Sequence, residues 1–258
     1  MNISEEAYYN LEKVFISRTA EFRSKDNLLF KYYYYLTKDT KDKLDYLLNK
    51  PYILGSGLPI DEFFIDGSFK GIVIKYFEDA VPFSSATNFS ITEKFKACID
   101  ISRQLNILHS YGMCFNDIQS DNLLIDKDGG HLIDFDNSSF FGSLKSSCRY
   151  KLKDASGNTF LSSVEVDLYK ALICYLSLFY HIDFFKELYA CSDKNIFKFL
   201  LLFEGTSIFP LLNCATHSVS TNGDMPFPDI KKFIPFIVDE EGFNHDLNKV
   251  KEKVKLLR

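Results

Sequence analysis

Strand-like hydrophobic patterning fills the first 80 residues, and helix-like patterning fills most of the remainder. Residues 11–17, 21–24 and 28–36 are rich in Phe, Tyr, Val and Ile, with polar breaks at Ser17-Arg18-Thr19 and Ser24-Lys25-Asp26, which predicts three strands. Residues 37–49 carry Leu44, Leu47 and Leu48 on one face with Pro51 beyond their end, the pattern of a short helix. Apolar strands are predicted over 59–65 and 71–77, joined at Asp66-Gly67.

Residues 92–111 place Phe95, Ile99, Ile101, Leu105 and Leu108 at three- and four-residue steps, and Gly112 ends that predicted helix. Within 122–135, Leu123-Leu124-Ile125, the turn residues 126–130 and His131-Leu132-Ile133 form a hairpin signal. Residues 138–160 are polar and irregular. Residues 164–185 and 195–203 read as very apolar helices, 227–236 with its flanking prolines as an extended strap, and 243–258 as a charged amphipathic helix. The expected fold is therefore α+β, with a β-rich part over 1–80 and a mainly helical part over 81–258. A short join near 78–85 is where a two-lobed protein would have its cleft. No internal repeat or low-complexity linker interrupts the chain.

Apolar residues at 46% and charged residues at 25% exclude a disordered or fibrous chain. Net charge is 30 − 35 = −5, which argues against a general nucleic-acid binder. With 26 Phe, 15 Tyr and no Trp, the core is expected to be filled with Phe. The six Cys form no C-x-x-C pair, which excludes a zinc ribbon or thioredoxin-type motif. Several sit in apolar runs, so free thiols in a reducing, cytoplasmic compartment are expected. The acidic N-terminus lacks the apolar stretch of a secretory signal. The longest apolar runs, 171–180 and 196–203, fall short of the about 20 residues that a membrane span needs. A soluble protein with no transmembrane segment is expected.

The chemistry-bearing stretch runs from His109 to Asp136. Asp117 and Asn122 lie five apart after a predicted helix, and Asp134 lies twelve beyond Asn122, just past the hairpin whose closure should make the two neighbours. Two carboxylates and an amide oxygen suit a hard divalent cation such as Mg²⁺, which shares its coordination with phosphates. Asp117 would then be free to take a proton from an attacking hydroxyl, which is the logic of phosphoryl transfer.

These motifs resemble those of the protein-kinase-like fold. Asp117 to Asn122 resembles the catalytic loop D-x-x-x-x-N, Asp134-Phe135-Asp136 resembles D-F-G, and Glu165-Val166-Asp167 resembles the Asp-led helix of the large lobe. The resemblance spans roughly residues 10–185 and implies a bilobal fold with ATP and Mg²⁺ as cofactors. It implies Asp117 as catalytic base within a catalytic segment over 115–136. Asn122 and Asp134 would be metal ligands, and Asp136 either a further ligand or a capped turn residue. Lys31, where V-A-I-K would stand, is implied to anchor the α- and β-phosphates. The strand leading through Tyr76 and Phe77 is implied to present backbone to adenine.

Several departures accompany the match. No glycine precedes Gly55, so the turn carrying Arg18 would have to cover the phosphates in place of a glycine-rich loop. The helix after Lys31 has no Glu; Asp42 and Asp45 are the nearby acids, and both also read as solvated residues. Phe115-Asn116 replaces His-Arg, Gln119 replaces the usual Lys, and only 32 residues separate Asp134 from Asp167, without A-P-E. Such features resemble compact bacterial effector kinases, lanthipeptide synthetase kinase domains and aminoglycoside or choline phosphotransferases. The implied activity is that of an atypical protein kinase acting on Ser, Thr or Tyr hydroxyls, with a small-molecule kinase of the aminoglycoside or choline type as an alternative. It would be cytoplasmic, or delivered into a host cytosol if an effector, with a possible host or regulatory protein partner. Alternatives are a pseudokinase scaffold or AMP transfer on the same fold. His109 and His131 read as packing residues, Asp126 to Asp128 as a solvated turn, and the lysines of the last helix as a solubilising face.

Overall fold

The computed structural model describes residues 1–143, 150–190, 195–233, 235–236 and 239–256. The chain is a mixed α+β protein of two compact units. One comprises Met1–Ala80 with Leu132–Asp136, and the other Val81–His131 with Asn137–Arg258.

The first unit is built on one sheet. Its elements are β1 (Asn2–Ile3), α1 (Glu5–Tyr9), β2 (Glu12–Ile16), β3 (Ala20–Lys25), β4 (Leu28–Tyr33), α2 (Lys38–Leu48), β5 (Asp61–Ile65) and β6 (Ser68–Lys75). The sheet order is β1-β5-β6-β4-β3-β2. Every pairing is antiparallel except that of β1 with β5. Two tight turns set the register. Asp26-Asn27 joins β3 to β4 and Asp66-Gly67 joins β5 to β6, with all four residues at positive φ, the conformation that lets two-residue hairpins match the strand twist. Alternation divides β4 between two clusters. Phe30 joins Tyr8, Phe63, Ile65 and Val73, while Tyr33 joins Ala20, Ile72, Ile74 and Leu44 of α2. β4 ends at Tyr33, earlier than the expected 36, because Tyr34 and Tyr35 turn to solvent and the Tyr34 N–H bonds the Thr19 carbonyl. Sequence patterning put all of 81–258 in one part; the contacts instead join Leu132–Asp136 to the first unit. The Gly57 N–H donates to the Leu132 carbonyl at 2.8 Å, and Lys31 binds acids in that segment.

The second unit contains β7 (Val81–Pro82), α3 (Ile91–Ser110), β8 (Met113–Cys114), β9 (Leu123–Asp126), most of β10 (Gly129–Leu132), β11 (Ser139–Phe140), α4 (Val164–Tyr180), α5 (Phe184–Ala190), α6 (Ile196–Leu202), α7 (Phe209–Ser220) and α8 (Glu240–Leu256). α3 starts at a capping box formed by Ser90 and Glu93 and stops before Gly112, which takes positive φ. The hairpin lies at β9 and β10, where Asp126 Oδ1 accepts the N–H groups of Asp128 and Gly129 and Oδ2 pairs with His131. The single helix expected over 164–185 is two helices: His181, left-handed at φ 52°, ends α4, and Phe184 opens α5. The strap expected over 227–236 contains a 3-10 turn at Ile230–Phe233. α7 falls in a stretch for which the hydrophobic pattern had indicated no element. Phe184, Phe199 and Phe203 pack ring to ring at 5.2–5.6 Å, the Phe-rich core that composition suggested.

Two lysines of α8 are more than a solubilising face. Lys249 donates to the Gly205 carbonyl, and Lys253 to those of Leu201 and Glu204, satisfying carbonyls in the last turn of α6 and just after it. Cys98, Cys114, Cys174 and Cys214 are free thiols; Cys148 and Cys191 lie outside the described residues. Among the described residues, no helix is long and apolar enough to cross a membrane.

Candidate functional site

Lys31, Asp134 and Asp136 form one cluster and Asp117 and Asn122 another, one in each unit, while Arg18, Tyr76 and Phe77 belong to neither. The first is centred on Lys31. β4 is flanked by β3 and β6, so Lys31 sits mid-sheet, opposite Phe22 on one side and Ile72 on the other. It is 5% exposed, not a solvent-facing lysine on an amphipathic strand. Its ammonium contacts Asp134 Oδ1 at 2.6 Å and Asp136 Oδ2 at 2.8 Å. The Phe22 and Tyr33 rings lie 5.5 and 5.3 Å from the ammonium. Burial alone would lower the Lys31 pKa, but Asp134 and Asp136 outweigh it and hold the ammonium above its ordinary value.

Tyr33, two residues along the same strand face, donates its hydroxyl to Asp136 Oδ1 at 2.7 Å. Burial, and then the Asp136 carboxylate, push that phenol well above its usual pKa. Asp136 thus has a protein donor on each oxygen. Burial pushes its carboxyl up and the Asp134 charge adds to this, against the pull of Lys31. Asp134 is more open: its side chain is 39% exposed against 22% for Asp136. Asp134 also holds φ 69°, a left-handed conformation that Asp tolerates better than most residues.

The acids of α2 play no part in this cluster. Asp42 is exposed, and Asp45 pairs with Lys41. Arg18 is likewise exposed. In its turn, Ser17 Oγ accepts the N–H groups of Thr19 and Ala20 and donates to the Ala20 carbonyl. A hydroxyl therefore closes the glycine-free turn, and those two N–H groups are spent within it. Tyr76 is half-buried, and its N–H donates to the Asn27 carbonyl at 2.9 Å. The strand end at Tyr76 thus does not offer that N–H to a ligand. Phe77 follows, with the Lys75 ammonium 5.2 Å from its ring.

The second cluster is centred on Asp117, in the loop that follows β8. Asp167, fully buried in the first turn of α4, grips this loop: Oδ2 accepts the Phe115 N–H at 2.6 Å and Oδ1 the Asn116 N–H at 2.9 Å. His109 Nε2 lies 3.1 Å from Asp167 Oδ2, the structural place expected of that histidine. One turn further along α4, the buried Lys170 donates to the Asn116 carbonyl at 2.6 Å. Asn116 holds φ 65° and spends its side-chain amide on the Asn137 carbonyl and the Ser139 hydroxyl. Asp117 is consequently presented by a backbone held at several points. Its Oδ2 accepts from Asn137 Nδ2 at 3.0 Å, and its carbonyl from Asn122 Nδ2 at 2.8 Å.

Asn122 uses its nitrogen on that loop, which leaves its amide oxygen as the ligand-type atom. Asp134 offers an exposed carboxylate oxygen. Each is an oxygen donor of the hardness that Mg²⁺ takes. Among the described residues, no group of three or more His, Cys, Asp or Glu side chains is placed to hold a metal ion.

Sequence reasoning overlooked Tyr33, Asn116 and Asn137. A signal for Tyr33 existed, since residues i and i+2 of one strand share a face. Asn116 and Asn137 carried none beyond lying next to Asp117 and Asp136. No protein-family model matches the chain, and a search of curated proteins finds no match.

Proposed function

We propose that the protein is an ATP- and Mg²⁺-dependent phosphotransferase of the bilobal protein-kinase-like type, acting on a protein or small-molecule hydroxyl. What carries this is the ion pair between Lys31 and Asp134. The motif resemblance gave one of these residues to phosphate and the other to metal, and they belong to a single cluster. Asp117, presented by a loop whose backbone is hydrogen-bonded to Asp167 and Lys170, takes the acceptor proton. Lys31 meets the phosphates as a point charge. Asn122 and Asp134 would each offer an oxygen to the metal, which when bound would neutralise charge on the transferring phosphoryl group.

The test is mass spectrometry of the purified chain with ATP and Mg²⁺, with and without a general protein substrate, beside Asp117→Ala and Asp134→Ala. A gain of one phosphoryl group, lost in both variants, supports the function. A gain of AMP keeps the nucleotide site and overturns the reaction. No gain, together with no nucleotide-dependent thermal shift, overturns both.

The Ser17 turn favours a second reading, a scaffold of pseudokinase type, since two N–H groups that could meet phosphates are consumed by a hydroxyl. Nucleotide binding without turnover across acceptor classes would favour it.

A further inference from the structure

We infer that Asp136 is a positioning residue that anchors Lys31, not a metal ligand, and that Tyr33 holds Asp136 in place for that role. The inference rests on the phosphotransferase function proposed above and assigns a part within it.

A lysine that meets phosphates needs a fixed position and a counter-charge that remains when nucleotide arrives. Asp134 alone cannot supply one, because a carboxylate given over to a divalent cation has less to offer a neighbouring ammonium. A second acid is required, and α2 does not provide it. Asp45 is engaged by Lys41 on α2's own surface and Asp42 faces solvent. Asp136 meets the need at 2.8 Å. Its other oxygen receives the Tyr33 hydroxyl at 2.7 Å, so each oxygen of this carboxylate is directed at a protein donor. Asp134 differs in the way a metal ligand should: only Oδ1 meets a protein donor among the described residues, and its side chain is the more exposed of the two.

The support is rigid. Lys31 and Tyr33 project from one face of β4, which is hydrogen-bonded on both sides, and Tyr33 packs with Ala20, Leu44, Ile72 and Ile74. Tyr33, Asp136 and Lys31 form a chain of donor, acceptor and donor to which α2 contributes no polar partner. Lys31 would accordingly be set for phosphate before nucleotide binds, without a helix movement to complete its pairing.

Calorimetric titration of ADP in EDTA, and of Mg²⁺ at saturating ADP, separates the two roles of Asp136. Asp136→Asn should weaken metal-free ADP binding about tenfold, as Lys31→Met does, and leave the Mg²⁺ titration midpoint in place. The double variant should lose no more than Lys31→Met alone, because one interaction is removed twice. Tyr33→Phe should shift ADP affinity the same way by less, and Asp136→Glu should restore part of the loss. These two conservative variants keep the test sharp if Asp136→Asn folds poorly. A moved Mg²⁺ midpoint with unchanged metal-free ADP affinity would make Asp136 a metal ligand and overturn the inference alone. Unchanged values in both titrations would also overturn it alone. Absence of ADP binding by the unmodified chain would overturn the proposed function with it.

Discussion

Asp167 and Asn116, 51 positions apart, are joined by a 2.9 Å hydrogen bond from the Asn116 backbone to the Asp167 carboxylate. The Phe115 N–H reaches the same side chain. Two buried backbone donors therefore depend on one acid at the start of α4. Asp167→Ala removes both acceptors, and each stranded donor costs roughly 1–3 kcal/mol. Urea unfolding should show a loss of roughly 2–6 kcal/mol. A loss below about 1 kcal/mol would mean that water replaces the carboxylate.

Asp117→Asn keeps an acceptor oxygen for Asn137 and removes only the base. Turnover should fall by about 10²–10⁴-fold, with nucleotide affinity kept within about twofold. Steady-state rates beside calorimetry test the pair. Equal losses in rate and affinity would place Asp117 in ground-state binding instead.

At Gly71 the chain has no room for a side chain. A Cβ there would stand 1.9 Å from the Lys31 carbonyl and 2.7 Å from the Phe63 ring. Gly71→Ala should therefore displace the very strand that carries Lys31, at a cost of roughly 3 kcal/mol or more. Thermal unfolding checks the stability, and ADP affinity should fall with it.

Glu93 caps α3 by accepting from the Ser90 N–H and hydroxyl, and these bonds hold its carboxyl below the ordinary 4.5. The charged form is the one that caps, so the stabilisation is present above pH 4.5 and is lost as pH falls below it. Glu93→Gln should reduce the difference in urea midpoint between pH 7 and pH 3. An unchanged difference would show that the cap contributes nothing to acid sensitivity.

Legibility in the sequence followed the range of the physics involved. Local signals read well: the short helix that ends before Pro51, Gly112 as the stop of α3, Asp66-Gly67 as a hairpin turn and the β9–β10 hairpin are set within a few residues. The break at His181 did not read, because the apolar run continues through Phe184 and Phe185, which are buried in a second helix. α7 escaped because Pro210, Asn213, Thr216 and Ser218 dilute its apolar stripe, yet Thr216 and Ser218 are buried and bonded inside the unit. In the candidate site, Lys31, Asp117, Asn122 and Asp134 stood out through motif spacing. The bond from Tyr33 to Asp136 did not, since it needs the register of β4 and the return of a segment 103 residues away.

That return has a consequence for how the protein is made. On the ribosome, Met1–Ala80 emerges well before Leu132–Asp136, which completes the same unit. In that interval the nascent sheet carries a lysine destined for its interior without either counter-charge, a costly state for a buried ammonium. Synthesis therefore delivers both counter-charges of Lys31 only after the following helix and hairpin, so the last piece of the amino-terminal unit arrives late.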